Sequence, residues 1–213
     1  MSKKRAEIKK INPMLQLNED LISTEQIRMI RTNIDLLSDS KSTLLMVTSP
    51  KHEGDKSIIS SKLAISLVEQ EKKVLLVDAN IRQPSLHNWF QITNGSGLTN
   101  TISNEEDIRL HYKETFVTGL FVLPTGPIPL NLSDIWVTSK IKEMVRKCES
   151  EFDVVIFVSP PFLTVSDSQI LANQCDGVIL VVKSNKTKKE DALKTRDYLA
   201  RTNNRIVGVI YQT

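Results

Sequence analysis

At 213 residues and a formal net charge of +3, the chain is long enough for one α/β domain with a sizeable core and too short for two ordinary domains. The mild basic excess calls for no nucleic-acid partner. No apolar run approaches the ~20 residues needed to span a bilayer, and the charged N-terminus lacks the apolar core of a signal peptide. A soluble, intracellular chain is expected. Cys148 and Cys175 show no metal-ligand spacing and read as ordinary structural residues of a reducing compartment.

In chain order, "MSKKRAEIKK" sets Lys3, Lys4, Arg5, Lys9 and Lys10 against Glu7. It reads as a solvated tail, or as a segment attracted to an acidic partner or an anionic membrane surface. After a break at Asn12-Pro13, a helix is expected over about 23–38, with Ser23 or Thr24 as its cap and Ile27, Ile30, Ile34 and Leu37 on one face. Residues 1–42 thus form a basic tail and helical arm, and residues 43–213 an α/β domain.

Within that domain "TLLMVTS" (43–49) and "KVLLVDA" (73–79) are strands, with a helix after Ser57 between them. A short helix is expected near 96–103. A Pro-rich turn follows "GLFVLPTG" (119–126), then a helix through Ile141 and Val145. "FDVVIFVSPP" (152–161) and "DGVILVVKS" (176–184) are near-continuous apolar runs, as in strands buried on both faces of a parallel sheet. A helix over 187–202 and a strand over 205–212 complete the chain. The alternation predicts a three-layer α/β fold with a mostly parallel central sheet and ligands at the carboxyl ends of the strands. Trp89, Phe90, Trp136 and the three tyrosines, Tyr112, Tyr198 and Tyr211, are expected in core or half-buried packing.

"SPKHEGDKSIIS" (49–60) has the position and ending of a phosphate-binding loop. Such a loop needs a small residue, four of any kind, then Gly-Lys-Ser/Thr, so that backbone N–H groups and a helix N-terminus surround the phosphates. Lys56 and Ser57 fit, as phosphate-neutralising cation and magnesium ligand. Asp55 takes the glycine position, with Gly54 one place early. A side chain there restricts the backbone, and a carboxylate facing phosphate at ~4 Å costs on the order of 4 kcal/mol at an effective dielectric near 20, a cost that magnesium or an outward rotamer would relieve in part. Weakened nucleotide binding and a plain strand-to-helix turn both remain open for these residues.

From about Glu25 onward the motifs resemble the bacterial tyrosine kinases of capsule and exopolysaccharide synthesis. "EQIRMIRTNI" is similar to that family's self-association helix, with Glu25, Arg28 and Arg31 at its Glu-x-x-Arg-x-x-Arg positions. "VLLVDANIRQP" resembles the Asp-x-Asp-x-Arg-x-Pro motif, "LPTGPIPLNLSDIW" the Gly-Pro-x-Pro-x-Asn-Pro-Ser-Glu segment, and "FDVVIFVSPP" the strand ending in Asp-Thr/Ser-Pro-Pro. The resemblance implies a cytoplasmic P-loop domain that binds ATP or ADP with magnesium and pairs with a membrane polysaccharide co-polymerase. It implies homo-oligomers, or hetero-oligomers with a kinase paralogue, and no nucleic acid. Carried over residue by residue, it assigns Gly54, Lys56, Ser57 and Arg82 to the nucleotide, Ser57 and Asp78 to magnesium, and Asp78 to catalysis.

Three departures fall on that chemistry: Asp55 in the loop, Asn80 at the second aspartate and Val158 at the third-motif aspartate. Phosphoryl transfer rests on positioning and electrostatics. Valine offers no ligand, and asparagine neither negative charge nor a useful base. The tyrosine cluster expected at the family's C-terminus is also missing from "GVIYQT". An impaired kinase acting through its surfaces is the leading expectation. A working kinase with a relaxed site is the alternative, and a partitioning-type ATPase, suggested by Lys51, is a distant third.

Overall fold

In the computed structural model, residues 24–37, 42–52 and 55–213 are described. The basic tail, the Asn12-Pro13 break, Ser23 and Gly54 lie outside them. Seven strands form one sheet in the order β3-β4-β2-β5-β1-β6-β7. These are β1 (Thr43–Thr48), β2 (Val74–Asp78), β3 (Lys113–Glu114), β4 (Leu120–Leu123), β5 (Val154–Val158), β6 (Gly177–Lys183) and β7 (Ile206–Gln212). Every pairing is parallel except β3 with β4.

Seven α-helices accompany the sheet among the described residues: α1 (Thr24–Asp35), α2 (Lys56–Val68), α3 (Leu86–Phe90), α4 (Leu98–Ser103), α5 (Thr138–Glu149), α6 (Asp167–Ala172) and α7 (Lys189–Arg201). The apolar strand runs split by period two between two cores, since successive side chains leave opposite faces of a pleated sheet. Leu45, Val47, Ile156 and Val158 face one side, where Ile59 and Leu63 of α2 meet Ile27, Ile30 and Ile34 of α1. Leu44, Met46, Val155 and Phe157 face the other, against Ile141 and Met144 of α5, Leu171 of α6 and Leu199 of α7. Covering both faces is what makes strands such as VVIFV apolar throughout.

The expected elements are present with ends that differ by no more than three residues. α3, α6 and the two-residue β3 were not anticipated, each being too short to show a period. α1 docks on the edge strand through Ile30, which lies against Gly208. It also closes part of that edge: Gln26 exchanges two hydrogen bonds with the backbone of Tyr211, at 3.0 and 3.3 Å, and Asn33 donates to the Val207 carbonyl at 2.8 Å.

Phe90 and Trp136 are buried as expected, and Cys148 sits in the second core. Burial pushes the thiol pKa of Cys148 and of Cys175 far up, which leaves both unreactive. Tyr112 packs edge-on against Phe121 and Phe152. Tyr198 is 37% exposed with its ring edge-on to Phe162, while Tyr211 is 52% exposed because alternate side chains of an edge strand face solvent. No described helix is long and apolar enough to cross a membrane.

Candidate nucleotide site

The carboxyl ends of β1, β2 and β5 open onto a cleft of about 400 Å³, where ligands bind in open parallel sheets. His52, Asp55, Lys56, Ser57, Asn80 and Ser85 contribute its polar wall, and Trp89, Val158 and Pro161 much of its apolar one.

The loop between β1 and α2 is held at its start. The N–H groups of Phe162 and Leu163 donate to the carbonyls of Ser49 and Pro50, at 2.8 and 3.0 Å. Ser49 Oγ donates to the Lys51 carbonyl at 2.6 Å, and the buried Lys56 Nζ donates back to Ser49 Oγ at 2.9 Å. The cation is therefore folded over the loop, where a phosphate-binding lysine belongs. Asp55, at the N-cap of α2, makes no side-chain cap and has φ −92° and ψ 64°. That backbone is not left-handed, so the restriction expected for a non-glycine residue does not arise here. Its carboxylate is turned to Lys183 and Gln212.

Asp78 ends β2 fully buried. One carboxylate oxygen accepts the N–H groups of Ser85 and Leu86, at 2.8 and 2.9 Å, and the other that of Asn80 at 3.3 Å. It thereby holds the first turn of α3 against the sheet. Burial raises its pKa above the ordinary 3.8, and these N–H donors pull it back. Ser57 Oγ lies 2.5 Å from Ser85 Oγ, so Ser85 links the loop hydroxyl to Asp78. Asn80 donates its amide to the Gln83 carbonyl at 3.1 Å, and Val158 is buried.

The structure thus brings Lys56, Ser57, Asn80 and Val158 to one cleft, with Asp78 beneath it. Arg82 turns away: its Nε lies 3.6 Å from Asp167 on α6. Lys51 is held by Asp191 of α7 at 2.9 Å, an ion pair that lowers the aspartate's pKa. On α1, Glu25 and Arg28 pair with each other at 2.7 Å, while Arg31 donates to the Ser66 carbonyl of α2 at 3.3 Å. Sequence reasoning missed Ser85, whose position after Arg-Gln-Pro marks a helix start. It also missed Lys183 and Gln212, distant strand ends that no local pattern joins to the loop.

A phosphate fits these residues, since Lys56 and the uncapped first turn of α2 supply cation and N–H donors. A magnesium ion accompanying a nucleotide takes most of its oxygens from phosphate and water, so Ser57 Oγ and Asp78 are the groups that would face it. The first is engaged with Ser85 and the second by three N–H groups. Among the described residues no cluster of three or more His, Cys, Asp or Glu could hold a metal.

Residues 40–212 match the ParA family (NUBPL iron-transfer P-loop NTPase). The chain is 37% identical over 190 residues to tyrosine-protein kinase YwqD of Bacillus subtilis strain 168, covering 89% of this chain and 80% of that one. It is 33% identical over 187 residues to tyrosine-protein kinase CpsD of Streptococcus agalactiae serotype III strain NEM316, covering 87% and 80%. The solved chimerical protein CapA2B2 superposes with a TM-score of 0.81 at 29% identity, covering 88% of this chain and 83% of the other. The chain belongs to the bacterial tyrosine-protein kinase family of capsule and exopolysaccharide synthesis, built on a nucleotide-binding P-loop NTPase fold.

Proposed function

We propose that this chain is a catalytically impaired member of its family, a cytoplasmic binding or regulatory partner of a membrane polysaccharide co-polymerase. One observation carries this. The remaining motif carboxylate, Asp78, is committed to three backbone N–H groups, while Asn80 and Val158 stand at the positions of the other two. A nucleotide's phosphates still have Lys56 and the α2 N-terminus, so weak binding of ATP or ADP survives without efficient transfer. The helix expected over about 23–38 serves as the self-association element, with Glu25 and Arg28 exposed on α1 for exchange with a neighbouring subunit. Arg31 contributes by fixing α1 on α2.

The test is a calorimetric titration with ATP and ADP, with and without magnesium, beside a phosphotyrosine assay on an added substrate. Magnesium-independent binding without transfer supports the proposal. Transfer that disappears in Lys56→Met would refute it and establish the second function, an active tyrosine kinase with a relaxed site. That alternative draws on the convergence of Lys56, Ser57 and Asn80 on one cleft.

A further inference from the structure

We infer that Lys183 and Gln212 are positioning residues for the phosphate-binding loop, which draw the Asp55 carboxylate off the path of an incoming phosphate. The inference rests on the residual phosphate binding proposed above, and concerns residues outside every motif of the family.

β6 and β7 lie side by side in parallel register, with Lys183 opposite Gln212 at their carboxyl ends. Both side chains reach the same oxygen of Asp55. Gln212 Nε2 donates to Oδ2 at 2.7 Å and Lys183 Nζ at 3.3 Å. The Gln212 side-chain oxygen Oε1 meanwhile accepts the Asp55 backbone N–H at 3.1 Å, so one side-chain amide grips both the main chain and the side chain of the loop residue. A fully buried glutamine engaged twice has its orientation fixed by those bonds.

The clamp is itself rigidly mounted. Ser184 N–H donates to the Gln212 main-chain carbonyl at 2.7 Å, while Thr187 donates its N–H to the Lys183 carbonyl and accepts the Lys183 N–H at its Oγ1, each at 2.9 Å. Asp55 remains part of the cleft wall, and among the described residues lining it is the one that carries a carboxylate. Lys183 neutralises it and Gln212 turns it towards the sheet edge. The loop can then do without its glycine, provided these two strand ends are intact.

The inference separates from a direct phosphate contact by Lys183 through a double-mutant cycle. Lys183→Met is expected to weaken binding of ATP and of inorganic tripolyphosphate about three- to tenfold, because Asp55 is released. In Asp55→Asn, the same Lys183→Met change is expected to have almost no effect, since no carboxylate remains to be restrained. Equal losses in both backgrounds would make Lys183 a phosphate ligand and overturn the inference.

Urea unfolding without ligand supplies the second measurement. The midpoint shifts of Asp55→Asn and Lys183→Met are expected to be non-additive, and additive shifts would overturn the clamp. Should the wild-type chain bind neither probe, the phosphate part falls together with the residual-binding proposal. The unfolding cycle would then decide the clamp alone.

Discussion

Asp78→Ala separates a folding role from a purely chemical one. The substitution leaves the Leu86 N–H buried and the Ser85 N–H half-buried without an acceptor, and removes the longer bond from Asn80. A buried donor left unmade costs about 1–3 kcal/mol. Burial of the charge opposes this, since it already raises the carboxylate pKa. The net expected loss is about 2–4 kcal/mol, or roughly 4–16 °C in melting temperature for a chain of this size. Asp78→Asn is the control. Its amide oxygen can keep both short bonds, while its buried NH₂ faces the Asn80 N–H without an acceptor, so a loss clearly smaller than that of Asp78→Ala is expected. Urea unfolding of the three proteins measures both. If Asp78→Ala is as stable as wild type or more so, Asp78 is a ligand-directed group strained by burial, and the assignment of its carboxylate to α3 is wrong.

Gly97→Ala is expected to cost on the order of 2–3 kcal/mol, because a Cβ there falls 2.0 Å from the Pro124 carbonyl oxygen. Gly95→Ala, with nothing within 4 Å, is expected to stay within about 0.5 kcal/mol in the same urea assay. Lys51→Met is expected to alter the acid limb of a stability-against-pH profile. The pairing lowers the Asp191 pKa below its ordinary 3.8, so its stabilisation is fully present above that value and is lost as pH falls from there through the lowered folded-state pKa; the variant should show a flatter limb. Arg28→Glu is expected to leave stability within about 0.5 kcal/mol, its pair being exposed, while shifting sedimentation towards the monomer.

The alternation of apolar runs made the sheet and its two covered faces legible, because period-two burial on both sides leaves a strand no polar position. The loop was legible through Lys56-Ser57, and Asp55, Asn80 and Val158 through their clash with motif chemistry. An outward rotamer of Asp55 was legible as an option, but its partners were not. Lys183 and Gln212 lie 128 and 157 residues away, so their ability to turn it aside has no local signature. α3 escaped notice because five residues with buried Leu86 and Phe90 show no full helical period. Arg82 and Arg31 were placed by motif alone, and the partners that draw them aside, Asp167 and the Ser66 carbonyl, come from other elements.

Asn80 and Val158 differ from mere losses, because each does work that an aspartate there could not do. The Asn80 amide donates to the Gln83 carbonyl, and a carboxylate has no proton to give. Val158 packs in the core beneath α2, in register with Asp78 across the β2–β5 pair. An aspartate at 158 would put a second carboxylate beside one whose ionisation burial already opposes. Val158→Asp therefore restores the family's motif on paper while burying an unpaired charge, at an expected cost of about 2–4 kcal/mol. Calorimetric unfolding of Val158→Asp and of Val158→Asp/Asp78→Asn decides the matter. The double variant should recover part of the loss if repulsion between the two carboxylates contributes. A single variant as stable as wild type would mean that the pocket still accommodates charge, and the case for an impaired site would fail at its strongest point.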